Sequence, residues 1–145
     1  MSTAKDDCEN LLGQLMPFVE EALGEYHEFF PVGVAMTSSQ EVEMLAAEDG
    51  EEQPESEDLI DMLKQGFREG GESGEYRATC LAFDATATHP ETDVEQDTVM
   101  FLLDHQDSYS VKVCFPYSFD ADDKLVIEEP YAVEGDYDIF AKTSA

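Results

Sequence analysis

Tyr76 to Thr88 reads Y-R-A-T-C-L-A-F-D-A-T-A-T, thirteen residues with neither glycine nor proline. Threonine, aromatic and small apolar residues at alternating positions suit a pleated strand. Tyr76, Ala78, Cys80 and Ala82 fall on one face, Leu81 and Phe83 on the other. Both faces are apolar, which predicts a central strand with helices covering one side of its sheet. The stretch is also electrically neutral. Residues 76–90 set Arg77 against Asp84, whereas residues 41–75 hold thirteen acids against Lys64 and Arg68. Residues 91–138 hold fourteen acids against Lys112 and Lys124.

N-terminal to this strand, Cys8, Leu11, Leu12, Leu15, Met16, Val19, Ala22, Leu23, Tyr26, Phe29 and Phe30 recur at steps of three and four. That spacing is one apolar face of a helix from about Asp6 to Phe30. Thr3 with Asp6 supplies an N-cap, Pro31 ends the pattern, and Pro17 predicts a kink or break. Val32–Thr37 and Glu41–Ala47 read as a hairpin around Ser38-Ser39-Gln40. Glu48 to Ser56 is an acidic loop. A second helix is expected from about Glu57 to Glu69, capped by Ser56 and stopped by Gly70-Gly71, with Leu59, Ile60, Leu63 and Phe67 facing the core.

C-terminal to the strand, Thr98–His105 and Tyr109–Tyr117 form a hairpin over Gln106-Asp107. Tyr109, Val111, Val113, Phe115 and Tyr117 point one way, and Ser110, Lys112 and Cys114 the other. Leu125–Ile127 can add a short strand, and Tyr131–Ala141 reads as an edge tail. The expected fold is α+β, one domain over residues 1–145, with a mostly antiparallel sheet of 5–6 strands and two helices in the order α-β-β-α-β-β-β. This element order is similar to that of profilin-like and roadblock-like domains. Together with the acidity, it also resembles small bacterial immunity proteins of toxin systems. The resemblance carries over no site residues.

The chain's 35 acidic and seven basic residues give a formal net charge of −28. A small domain usually carries a charge of magnitude roughly 2–8. Such a surface repels nucleic acid and anionic membranes and attracts cations, basic proteins or a salty medium. Cys8, Cys80 and Cys114 are odd in number and far apart, and the first ten residues form no apolar signal, so a reducing cytoplasm is the expected location. A Cys–His pair drawn from Cys80 or Cys114 with His89 or His105 would need an electropositive setting, and these carboxylates supply the opposite. No nucleophile elbow, phosphate loop or zinc spacing occurs, so no catalytic residue, metal ligand or cofactor is assigned. Asp93, Glu95 and Asp97, or Glu134, Asp136 and Asp138, could face a hard cation together. The Asp120–Asp123 run departs from an EF-hand loop at Lys124 and at its absent glycine.

The function these features favour is a non-enzymatic acidic protein that docks a basic partner, in its narrowest form an immunity-type inhibitor. The residues expected to carry it are Glu51, Glu52, Glu55, Asp120, Asp122 and Asp123, with Tyr117 and Tyr131, and further Phe119 and Tyr137, as aromatic anchors. The alternatives are a salt-adapted domain, whose charge would be spread evenly, and a small-ligand or enzymatic domain with its own pocket.

Overall fold

The computed structural model describes residues 3–27, 29–46 and 56–140. Its elements run α1 (Ala4–Tyr26), β1 (Val32–Thr37), β2 (Val42–Ala46), α2 (Ser56–Glu72), β3 (Tyr76–Thr88), β4 (Glu95–His105), β5 (Tyr109–Phe119), β6 (Leu125–Ile127) and β7 (Tyr131–Glu134). All pairings are antiparallel, in the order β2-β1-β3-β4-β5. The outer edge of β5 is shared, with β6 on Tyr117–Phe119 and β7 on Val111–Cys114. The α+β class and the antiparallel sheet match the sequence reading. The sheet has seven strands rather than 5–6, because both short C-terminal segments find a place on β5.

The helices cover opposite faces of the sheet, not one side. α1 lays Cys8, Leu11, Leu15, Val19 and Leu23 on Val34, Met36, Ala78, Cys80, Ala82, Val99, Phe101 and Leu103. α2 lays Leu63 and Phe67 on Ala35, Tyr76 and Leu81. Strand alternation accounts for this division, since Ala78, Cys80 and Ala82 face α1 while Leu81 faces α2. Tyr76 breaks the expected pattern. The β1–β3 register shifts between Met36 and Thr37, so Thr37 pairs with Tyr76 and Arg77 is extra. A bulge of this kind reverses the alternation beyond it. It sends Tyr76 to the α2 side, edge-on to Phe67, and brings Arg77 to the N-terminal turns of α1.

Three further details differ from expectation. α1 runs unbroken past Pro17 and ends at Tyr26, where His27 takes a left-handed conformation. Pro17 and Gly13 both lie on the exposed side, so water can reach the carbonyl that Pro17 leaves without a helical donor, while Leu11, Leu15 and Val19 hold the buried side straight. α2 continues through Gly70-Gly71 to Glu72, because Gly70 is needed for closeness: a Cβ there would collide with the Tyr76 ring. Gly33 likewise lets Phe67 lie on the sheet, since a Cβ would stand 2.5 Å from the ring. The β4–β5 turn holds three residues, with Ser108 at φ 61°, the left-handed position that three-residue hairpin loops favour.

Candidate functional site

β3 and β4 run on beyond β1, pairing out to Thr88 and Glu95. β5 ends at Phe119 and turns over Asp120–Lys124 into β6. The two hairpins meet at one end of the sheet. Gln96 donates from Nε2 to the Tyr117 carbonyl at 3.2 Å and also to the Glu128 carboxylate. Tyr117 donates its hydroxyl to Asp84 at 2.8 Å, and the His89 and Tyr131 rings lie 4.5 Å apart. This end therefore gathers Asp84, Glu91, Asp93, Glu95, Asp97, Asp120, Asp122, Asp123, Glu128 and Glu129, all exposed, against Lys124 in the same two segments.

The end of α1 reaches the same place. His27 stacks on Phe119 with ring centroids 4.1 Å apart and stands 3.4 Å from the Asp123 carboxylate. Tyr26 and Phe30 flank it, 69% and 55% exposed. Large apolar surface standing free amid carboxylates is the feature of this end that packing does not explain.

The other cations among the described residues are drawn elsewhere. Lys5 pairs with Glu9, Lys64 with Asp138, Arg77 with Asp7 and Lys112 with Asp136. Arg68 donates to the Asp138 carbonyl at 2.7 Å. Lys64, Arg68 and Lys112 thus hold the segment after β7 across the α2 face. Beneath it Ser110 donates its hydroxyl to Asp104 at 2.8 Å and accepts the Tyr137 N–H at 3.2 Å. Burial pushes the Asp104 carboxyl up to about 6, against the pull of the Ser110 hydroxyl. A cavity of about 10 Å³ lies here, the size of one water at most.

At the end of the sheet remote from the acids, His105 is wholly buried and bonded to Asp7 through Nε2 at 2.8 Å. Its Nδ1 accepts the Asp107 N–H at 3.1 Å. That places the proton on Nε2, donated to the Asp7 carboxylate. Arg77 Nε stands 3.3 Å from the same carboxylate oxygen. No sequence motif announces this network; its one signal is a lone arginine in an apolar strand. The adjacent Cys8 thiol is pushed up to about 12 by burial and by Asp104, Asp7 and Glu9. Such a thiol is a poor nucleophile.

The expected site residues divide. Asp120, Asp122 and Asp123 are exposed at the acidic end. Asp120 is partly structural, accepting the N–H groups of Asp122 and Lys124 at 2.9 and 3.0 Å. Tyr117 is not an anchor. It is 4% exposed, and burial, then the hydrogen bond and charge of Asp84, raise its phenol well above the usual value. Tyr131 is half-buried, Phe119 is covered by His27, and Tyr137 is tied to Ser110 and Ser108. Glu51, Glu52 and Glu55 lie outside the described residues. Cys114 and His105 are not brought together: His105 pairs with Tyr109, and Cys114 lies further along β5 on the opposite face. Among the described residues no group of three or more His, Cys, Asp or Glu is placed to hold a metal ion, and no helix is long and apolar enough to cross a membrane. Comparison with family models, with curated proteins and with solved structures finds no match in any of the three.

Proposed function

We propose that this protein binds a basic protein partner through the acidic end of its sheet. The observation that carries the reading is the uneven placing of charge. Ten exposed carboxylates share that end with Lys124, while Lys5, Lys64, Arg68, Arg77 and Lys112 are engaged elsewhere. A field concentrated in this way speeds the encounter with a cationic surface and opposes nucleic acid or an anionic membrane. Tyr26 and Phe30 offer apolar contact once the partner has arrived. In its narrower form the partner is a toxin whose cationic active site this end covers, and loss of the toxin's activity on titration is the readout.

The test measures association with a lysine- and arginine-rich peptide at low salt. Glu91→Lys, Glu95→Lys and Asp122→Lys together should slow association by at least about tenfold. Glu69→Lys, Glu72→Lys and Glu75→Lys, exposed acids beside Tyr76 at the opposite end of β3, make the same charge change far from the acidic end and should cost much less. Equal losses would leave net charge as the sole cause. Salt adaptation would then be the better account of the composition.

A further inference from the structure

β2 is one edge of the sheet, and among the described residues nothing pairs with its outer side. Natural edges are usually blunted by lysine, proline, a bulge or extreme shortness. β2 reads V-E-M-L-A, without lysine or proline, and its five pairs with β1 run without a register shift. Thr37 donates its N–H to the Glu41 carbonyl at 2.7 Å, which marks that pair as hydrogen-bonded. Antiparallel alternation then turns the backbone groups of Glu43 and Leu45 inward and those of Val42 and Met44 outward. On the face that α1 covers elsewhere, the side chains of Val42 and Met44 are 39% and 56% exposed. On the other face Glu43 is exposed and accepts the Tyr76 hydroxyl at 3.4 Å.

We infer that the outer edge of β2 accepts, as an additional strand, an extended segment of a basic protein in which apolar residues alternate with lysine or arginine. Apolar side chains would lie beside Val42 and Met44, and cations beside Glu43, while the outward N–H and C=O groups supply the ladder. A second copy of this chain is the poorer occupant, because each copy brings a formal charge of −28 and would set acid against acid. The inference rests on the basic-partner reading but uses a different surface from the acidic end.

The probes are two labelled peptides of equal charge, Lys-Val-Lys-Val-Lys-Val-Lys and Lys-Pro-Lys-Pro-Lys-Pro-Lys, followed by fluorescence anisotropy at low salt. The valine peptide should bind at least about tenfold more tightly, since proline cannot form the ladder. Met44→Pro should erase that preference and leave the fold in place, because the Met44 N–H points outward. Met44→Lys, a gatekeeper that keeps the N–H, should weaken the valine peptide selectively and serves if the proline variant fails to fold. Equal binding of the two peptides, or a preference that survives both variants, overturns the edge site. If equal binding still falls with Glu91→Lys, Glu95→Lys and Asp122→Lys, the basic-partner reading stands without it. Failure of both peptides to bind overturns both. A dimer in concentrated salt that Met44→Pro abolishes would give the edge to a second copy and overturn the inference.

Discussion

Among the described residues, sixteen buried ones form one apolar cluster around a 23-residue helix on the α1 face of the sheet. On the α2 face the corresponding cluster has five, and beside it Asp104, Ser110, Lys112, Asp136 and Asp138 line a charged seam under the C-terminal segment. The first face is held mainly by dehydration, which is insensitive to pH and gains from salt, with its buried charges confined to the Asp7–His105–Arg77 group at one end. The second depends in part on charges that either medium can alter. A chain with a net charge of −28 can keep such a seam because three of its cations are gathered there.

The largest expected effect compares the two cores. Leu15→Ala, at a fully buried position of the α1 face, should lower unfolding free energy toward the upper end of about 2–5 kcal/mol. Leu63→Ala, 3% exposed on the α2 face, should fall lower in that range, as its smaller cluster can collapse around the gap. Urea titration of both variants decides. The reverse order, or a loss within about 0.5 kcal/mol at either site, would break the contrast.

The next effect is one of pH. Burial raises the folded-state carboxyl of Asp104 to about 6 from its ordinary 3.8. Between these values the folded protein holds a proton that the unfolded chain has lost, so stability from this group is present at low pH and falls as pH rises through about 6. The cost at pH 7 is on the order of 2–3 kcal/mol. Asp104→Asn keeps an acceptor for Ser110 and should remove that portion of the pH dependence. It should also raise the melting temperature at pH 7 more than at pH 5. Identical slopes for variant and parent from pH 5 to 7 would show that Asp104 ionises without penalty.

Smaller still is the tie between Lys112 and Asp136. Lys112, by hydrogen bond and charge, holds the Asp136 carboxyl below its usual range, so its support has the opposite sign to that of Asp104. It is present at neutral pH and lost on acidification below about 4. Lys112→Ala should cost about 0.2–1 kcal/mol at low salt and almost nothing near 1 M, where the Debye length is about 3 Å. The parent protein's melting temperature should rise over the same range as repulsion is screened. A flat melting temperature would mean that repulsion does not limit the fold.

The three cysteines test how well the strands are closed. Cys8, Cys80 and Cys114 are buried and burial raises each thiol. Iodoacetamide at pH 8 should therefore label them only as the protein unfolds. Rapid labelling of Cys114 before Cys8 would place the weakness on the α2 face.

Periodicity alone located both helices, and alternation in β3 and β5 sorted their residues onto the correct faces, because side-chain direction in a regular element follows from local geometry. Tyr76 escaped that logic. Its face depends on a bulge that arises only when β1 lies beside it, and the same bulge brings Arg77 to Asp7. Gly70-Gly71 read as a stop because glycine usually ends helices, whereas tertiary contact with Tyr76 gives Gly70 a different use. For the candidate site, the acidity and the Asp120–Asp123 turn were legible as composition and run length. Gathering Asp84, Asp97, Asp122 and Glu129 at one end, burying Tyr117 and leaving Tyr26, Phe30 and Met44 exposed required the register of β3, β4 and β5 and the path of α1. A carboxylate's position along the chain determines its charge. Which other charges and rings it faces is decided by contacts between residues far apart in sequence, and those exist only in the folded sheet.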